Sequence, residues 1–127
     1  MARKNLSGKG KFTYNHKDDV LLFKILDRDY DYSVEFKNFV ADVDVDGFVS
    51  GIRIFDASKV FGMAKYALRS IKNWTFEVSI EKNMVTIKFN FIAEIRNKDI
   101  SLQNFSQQLT SMETHNLMEA FVRCAEA

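Results

Sequence analysis

The sequence predicts an α+β fold: an antiparallel β-rich sheet or meander, with one helix after a central hairpin and one C-terminal helix. Several segments alternate apolar and polar residues, which is the period of half-buried strands. The period changes to three and four residues in 58–71 and 114–125, which indicates helices. With 127 residues and 46% hydrophobic content, one packed core is expected. We therefore expect a single domain over residues 11–127, preceded by a flexible basic tail at residues 1–10.

The first strands follow from a compact apolar run and an alternating segment. Residues 19–26 are rich in strand-forming residues and end at the polar cluster 27–29, which predicts a buried strand. Residues 30–45 alternate, but the parity of the apolar positions changes near Asn38. That change predicts a bend, bulge or turn.

Asp46-Gly47 is the strongest local turn signal in the chain. Apolar alternating residues precede it, and the strand-like run 48–55 follows it. The sequence therefore predicts a hairpin with a positive φ at Gly47.

In residues 58–71 the apolar positions lie on one helical face, and Asp56 or Ser58 is expected to accept the amide protons at the helix start. Residues 74–81 and 84–96 return to the strand period and predict a second hairpin. Residues 99–110 predict another strand. The spacing of apolar residues in 114–125 predicts the C-terminal helix.

Residues 12–25 and 76–89 align at an offset of 64, with similar strand patterns. An internal duplication explains this, but so does the period that any two amphipathic hairpins share.

The formal net charge of +1 conceals segments of opposite sign. Residues 1–17 hold five bases and no acid, 18–56 hold ten acids and four bases, and 57–98 hold eight bases and three acids. Basic segments can contact phosphates, so association with nucleic acid is an alternative function for the N-terminal tail and residues 57–98. Ordinary solvated surface explains the same pattern. The candidate residues in the basic segment 1–17 are Arg3, Lys4, Lys9 and Lys11.

The strongest metal-like pattern is Asp42, Asp44, Asp46 and Gly47, which resembles the opening of a calcium loop. The closing position holds Arg53 instead of a bidentate acid, and the flanks read as strands instead of helices. We expect three acids on the outward face of a hairpin strand, with a small-ligand or metal site there as another alternative. No resident cofactor or metal is expected.

Other chemically competent residues are sparse. His16 and His115 have no His or Cys partner at metal-ligand spacing, and Cys124 is expected to be an inert thiol. Trp74 and the phenylalanines are expected in the core, although aromatic residues on a sheet face can also stack bases. A single cysteine suits a cytoplasmic location, and no apolar run approaches the ~18 residues of a membrane-spanning helix.

Two segments together resemble a prokaryotic domain of unknown function. They are Tyr14-Asn15-x-x-x-Asp19-x-Leu21 and the run from Val43 to Ser58 that contains Asp46-Gly47 and ends Gly-Ile-Arg-Ile-Phe-Asp-Ala-Ser. Members of that family begin Tyr-Asp-x-x-x-Asp-x-Leu and end Gly-Ile-Glu-Ile-x-Asp-Ala-Ser. Asn15 and Arg53 stand where members of that family have acids. The resemblance implies a small β-meander and no established activity.

The absence of a catalytic grouping in the sequence favours a non-catalytic interaction or regulatory module over an enzyme. Exposed strand edges and segregated charge lead us to expect a homodimer, with another protein as a further candidate partner. Nucleic acid is less favoured, and no membrane association is expected.

Overall fold

The computed structural model describes residues 4–109 and 117–127. In these residues nine strands form one mixed sheet, accompanied by two short helices. The strands are β1 (Lys4–Asn15), β2 (Val20–Ile25), β3 (Tyr30–Glu35), β4 (Phe39–Asp44), β5 (Val49–Phe55), β6 (Ile71–Glu81), β7 (Met84–Ile95), β8 (Lys98–Leu109) and β9 (Ala120–Glu126). The helices are α1 (Ala57–Phe61) and α2 (Lys65–Leu68).

The strand order is β3-β4-β5-β2-β1-β9-β6-β7-β8, with β3 and β8 at the two edges. All neighbouring strands are antiparallel except β1 and β9, which are parallel. Phe105 and Leu109 of β8 line the same cleft as Phe39 of β4 and Val60 of α1. The sheet is therefore curled, so that strands far apart in its order come close together.

The predicted α+β class is wrong, chiefly because the chain ends in a strand. Ala120–Glu126 pairs with β1 on one side and with β6 on the other. Its buried residues are Ala120, Val122 and Cys124, the period of a strand. The short apolar run also matched helical spacing, and pairing in the middle of the sheet decides between the two. Residues 114–116 of the predicted helix lie outside the described part.

The single helix predicted over 58–71 is also wrong. Its segment divides into α1 and α2, and Gly62 ends α1 with φ 64. A left-handed residue closes a helix because its amide can reach carbonyls of the last turn, and Gly adopts this conformation without steric cost.

The prediction of a flexible tail is wrong for residues 4–10, which form the first half of β1. These residues pair in parallel with β9, from Lys4 opposite Ala120 to Gly10 opposite Glu126. Gly8 is half-buried and Gly10 is buried. Glycine here marks close approach of neighbouring strands instead of flexibility.

Both predicted hairpins are confirmed. β4 and β5 meet at the turn that contains Gly47, whose φ is 89, and β6 and β7 meet at Lys82-Asn83. The strand predicted at 99–110 corresponds to β8. The offset of 64 relates the β1–β2 hairpin to the β6–β7 hairpin, and Asp19 and Asn83, aligned at their turns, both have positive φ.

Aromatic rings fill the inner side of the curled sheet. Trp74 and Phe23 lie 4.9 Å apart between ring centroids, and Phe61 of α1 packs edge-on against Phe89 at 5.6 Å. Trp74, Phe23 and Phe89 are almost completely inaccessible to solvent. These rings therefore stabilise the core and are not a surface for stacking bases. No helix in residues 4–109 or 117–127 is long and apolar enough to cross a membrane.

Candidate functional site

The three aspartates of the predicted acidic face differ strongly in environment. Asp42 is partly exposed, and its Oδ1 accepts hydrogen bonds from Ser33 Oγ at 2.7 Å and from the Arg53 guanidinium at 2.8 Å. Arg53 thus neutralises Asp42 across the β4–β5 pair. The arginine that departs from the family pattern supplies this countercharge.

Asp44 is buried and organises the hairpin turn. Its Oδ1 accepts the amide protons of Asp46 and Phe48, and its Oδ2 accepts a hydrogen bond from Arg28 Nε at 2.8 Å. The hydrogen bond from Arg28 to Asp44 also raises the pKa of the guanidinium. Arg28 reaches Asp46 at 2.9 Å and lies over the Phe48 ring, 5.6 Å from its centroid.

The expectation of one outward acidic face is therefore wrong for Asp44. Each of the three carboxylates is bound by an arginine, Asp42 by Arg53 and the other two by Arg28. Carboxylates hydrogen-bonded to guanidinium have fewer lone pairs to offer a cation. Within the described residues, no three His, Cys, Asp or Glu side chains converge as a metal site would require.

A second polar centre joins the two segments of the family resemblance. Asp19 is 6% exposed, and its carboxylate accepts hydrogen bonds from the Tyr14 hydroxyl at 2.6 Å and the Ser58 hydroxyl at 2.6 Å. The Ser58 amide lies 3.1 Å from Oδ1 and 3.2 Å from Oδ2 of Asp19. The amide of Ala57 donates to the Asp19 carbonyl at 3.0 Å. Asp19 therefore holds the start of α1 from 39 residues away.

This geometry corrects the predicted helix cap. Asp56 has φ 54 and makes no side-chain capping bond, and the Ser58 hydroxyl donates to Asp19 instead of accepting an amide proton. Burial opposes the charge on Asp19, but hydrogen bonds from Ser58 and Tyr14 outweigh it and lower the pKa of the carboxyl group. Burial, with the hydrogen bond to Asp19, raises the pKa of Tyr14.

The two histidines add nothing to this centre. The His16 ring lies 6.3 Å from the Tyr14 ring between centroids and is exposed in the β1–β2 turn. His115 lies outside the described residues.

Cys124 faces the core from β9 and is fully buried. Burial raises the pKa of its thiol to about 12. Since the thiolate is the reactive form, both access and ionisation oppose chemistry at this residue.

We expect iodoacetamide to alkylate Cys124 of the native protein at about pH 8 at least ~100-fold more slowly than a free thiol. In concentrated urea, the same protein should react at the rate of an unstructured cysteine. Mass spectrometry of timed samples measures both rates. Equal rates with and without urea would contradict the burial of the thiol.

Three of the four basic candidates near the N-terminus lie in the sheet. Lys4, Lys9 and Lys11 are exposed residues of β1, and Arg3 lies outside the described residues. The predicted basic segment 57–98 spans α1, α2, β6 and β7. One of its bases, Lys72, already pairs with two acids: it donates a hydrogen bond to Glu94 and lies 3.1 Å from Asp99. The hydrogen bond that Lys72 donates to Glu94 raises the pKa of Lys72.

The two edges of the sheet differ. β3 is six residues long, contains Asp31 and Glu35, and has a register shift between Tyr30 and Tyr32. β8 is twelve residues long, and its ten residues from Ile100 to Leu109 contain no charged residue. Ile100 is 44% exposed. Asn104, with φ 58, marks a bulge within β8, and its amide donates to Asn90 Oδ1 at 2.8 Å.

The comparisons with known proteins leave the family open. The chain is 26% identical over 88 residues to a protein of Methanosarcina mazei with the name "Putative hypoxanthine phosphoribosyltransferase". The similar region covers 69% of this chain and 72% of that protein. No family model matches the chain, and no solved structure matches it.

Sequence reasoning missed Arg28 and Asp19 as organisers of these two centres. The turn Asp27-Arg28-Asp29 looked like a polar strand end, and only the fold shows that Arg28 reaches two aspartates of another hairpin. The sequence did contain a signal for Asp19, because Asp19 and Ser58 both belong to the two segments that resemble the prokaryotic domain. In the structure the Ser58 hydroxyl donates a hydrogen bond to Asp19.

Proposed function

We propose that this protein is a non-catalytic interaction module that pairs with a second copy of itself through β8. The supporting observation is the length and neutrality of this edge: ten consecutive uncharged residues at the border of the sheet. An edge strand presents a row of backbone donors and acceptors that another strand can complete.

The contrast with β3 supports this choice of edge. Natural sheets protect their edges with short strands, charged side chains and bulges. β3 has all three, through its six residues, Asp31 and Glu35, and its register shift. β8 has a bulge at Asn104 but no charge from Ile100 onward. The less protected edge suits a strand that pairs in the functional state.

A second copy is a suitable partner because a symmetric antiparallel pair places β8 against itself. In the register that overlaps the whole strand, Ser101 of one copy faces Ser106 of the other. Lys98 and Asp99 then lie at the outer ends, opposite uncharged residues near Leu109. Self-pairing therefore brings no like charges together. A charged partner strand, in contrast, would have no opposite charge to pair with along residues 100–109 of β8.

Light scattering at tens of micromolar should give twice the protomer mass of 14.7 kDa. The double variant Ser101→Lys, Ser106→Lys should raise the dissociation constant at least about tenfold, because each lysine then faces a lysine across the interface and like charges directly opposite are destabilising. Both serines are exposed, so the protomer fold should be retained.

The matched control is Thr75→Lys, which adds charge to β6, a strand with neighbours on both sides. This variant should remain dimeric. A monomeric native protein, or equal dissociation constants for all three proteins, would refute pairing through β8.

The similarity to the Methanosarcina mazei protein adds a second candidate, transfer of a phosphoribosyl group to hypoxanthine, as in the name of that relative. At 26% identity the activity of the relative carries less weight than an edge that belongs to this chain itself. Incubating the protein with hypoxanthine and an activated phosphoribosyl donor, and measuring nucleotide formation, tests this candidate directly.

A further inference from the structure

Three lysines meet on the outer face of the sheet, where β1 and β2 pair. Lys11 lies directly opposite Lys24 in the antiparallel register, and Lys9 lies two residues before Lys11 on the same face. The inward positions of this part of β1 are Gly10 and Phe12, so the alternation of the strand directs the lysines outward. All three lysines are exposed.

This arrangement has an electrostatic cost. Residues directly opposite in an antiparallel pair have Cβ atoms about 5 Å apart, and like charges there are destabilising. Within residues 4–109 and 117–127, no acid pairs with the ammonium groups of Lys9, Lys11 or Lys24, whereas Arg28 and Arg53 nearby are paired. The lysine cluster is therefore an uncompensated positive site.

A cleft of about 290 Å³ adjoins Lys24 on the same face. Gly51 is part of its lining, and a Cβ at this position would lie 3.4 Å from Lys24 Cβ and 3.5 Å from Asp42 Oδ2. Asp42 Oδ2 thus faces the cleft, while Oδ1 binds Ser33 and Arg53. Leu22 and Leu26 supply apolar wall, and Ser50 supplies a hydroxyl.

We propose that this face binds a nucleoside phosphate. The phosphates lie on Lys9, Lys11 and Lys24, and the nucleobase enters the cleft above Gly51. Asp42 Oδ2 accepts a hydrogen bond from an N–H group on the base edge, and Leu22 and Leu26 contact its apolar surface. A volume at the lower end of small-molecule sites suits one base. A single cleft beside one cationic cluster favours a mononucleotide over a nucleic-acid strand, which needs contacts repeated along its length.

Calorimetric titration at low salt with GTP, guanosine and inorganic triphosphate tests this assignment. GTP should bind at least tenfold more tightly than triphosphate, because only GTP uses both the lysines and the cleft. Guanosine should bind weakly, and raising the salt concentration should weaken GTP binding because the phosphate contacts are screened at the surface.

Two variants separate the halves of the site. Gly51→Leu fills the cleft and should reduce GTP affinity to that of triphosphate, with triphosphate affinity unchanged. Lys11→Gln should weaken GTP and triphosphate alike, and should raise the urea midpoint of the free protein, because it removes the repulsion with Lys24. The control Lys59→Gln removes a positive charge from the exposed position of α1 and should change neither affinity.

The proposal fails if GTP does not bind at millimolar concentration. It also fails if triphosphate and GTP bind equally, or if Lys11→Gln leaves GTP affinity unchanged. Binding of a single-stranded RNA decamer far tighter than GTP and unaffected by Gly51→Leu would assign the lysines to nucleic acid instead. These outcomes do not depend on the β8 edge, so the proposal of nucleotide binding and the proposal of dimerisation can fail independently of each other.

Discussion

Replacing Gly10 with Val should destabilise the protein by about 3 kcal/mol or more, the upper range for overpacking a buried position. A Cβ on Gly10 would overlap the carbonyl oxygen of Lys24 and the Sγ atom of Cys124. Neither obstacle can move easily: one belongs to the β2 backbone, and the other is a buried side chain on β9. The midpoint of urea unfolding, followed by the intrinsic fluorescence of Trp74, measures the loss.

Gly51→Ala is the matched control, because its Cβ would make only ordinary contacts at 3.4 to 3.5 Å. This variant should be neutral or slightly stabilising, since alanine reduces the conformational entropy of the unfolded chain. Gly8→Val should fall between the two, because its closest obstacle, at 2.7 Å, is one methyl group of Ile25 and not a backbone atom. Equal midpoints for the three variants would contradict the position of β1 inside the sheet.

The expectation of a mobile tail at residues 1–10 would have predicted almost no effect at Gly10. A single sequence with two glycines and several lysines looks solvated, because lysine is common on surfaces and glycine in flexible segments. Only the pairing of β1 with β9, more than a hundred residues later, gives the glycines a packing role. Such long-range pairing leaves no local signal.

The hairpins were predictable because their determinants are local. Gly47 in the β4–β5 turn and Asn83 in the β6–β7 turn both have positive φ, and Gly and Asn tolerate this conformation best. The C-terminal segment was not predictable in this way. Phe121 and Val122 satisfy helical spacing, whereas the burial of Val122 and Cys124 follows from neighbours that the local sequence does not contain.

The acidic residues of the candidate site could be predicted from the sequence, but the arginines that neutralise them could not. Asp42, Asp44 and Asp46 form a recognisable pattern, yet Arg28 and Arg53 reach them only after two hairpins pack side by side. A search for patterns of like residues finds possible ligands. It does not find the opposite charges that already bind them.

The lysine cluster was missed for a related reason. Lys9 was assigned to the tail, Lys11 to the start of the domain and Lys24 to a buried strand, so the sequence offered no reason to place them together. The register of β1 against β2 places Lys11 opposite Lys24. Functional charge clusters on sheets arise from register, and register depends on the whole fold.

Replacing Asp19 with Ala should cost about 3 kcal/mol, since the carboxylate accepts hydrogen bonds from Tyr14, from the Ser58 hydroxyl and from the amide at the start of α1. Alanine also tolerates the positive φ of 55 at this position poorly. Asp19→Asn keeps the shape and the backbone conformation, and should lose about half as much. The control is Asp18→Ala, an exposed neighbour whose side chain accepts a hydrogen bond from Asn15; this variant should cost less than ~0.5 kcal/mol.

The effect of Asp19 should also depend on pH. Because the pKa of Asp19 is lower in the folded protein than in the unfolded chain, the carboxylate stabilises the fold above the unfolded pKa of about 4. This contribution is lost as the pH falls through the folded pKa, where the native carboxylate is protonated. The stability difference between the native protein and Asp19→Asn should therefore be constant from about pH 6 to 8 and shrink below about pH 4. Urea unfolding at each pH measures it, and a difference that grows on acidification would show that Asp19 is not the charged acceptor at the start of α1.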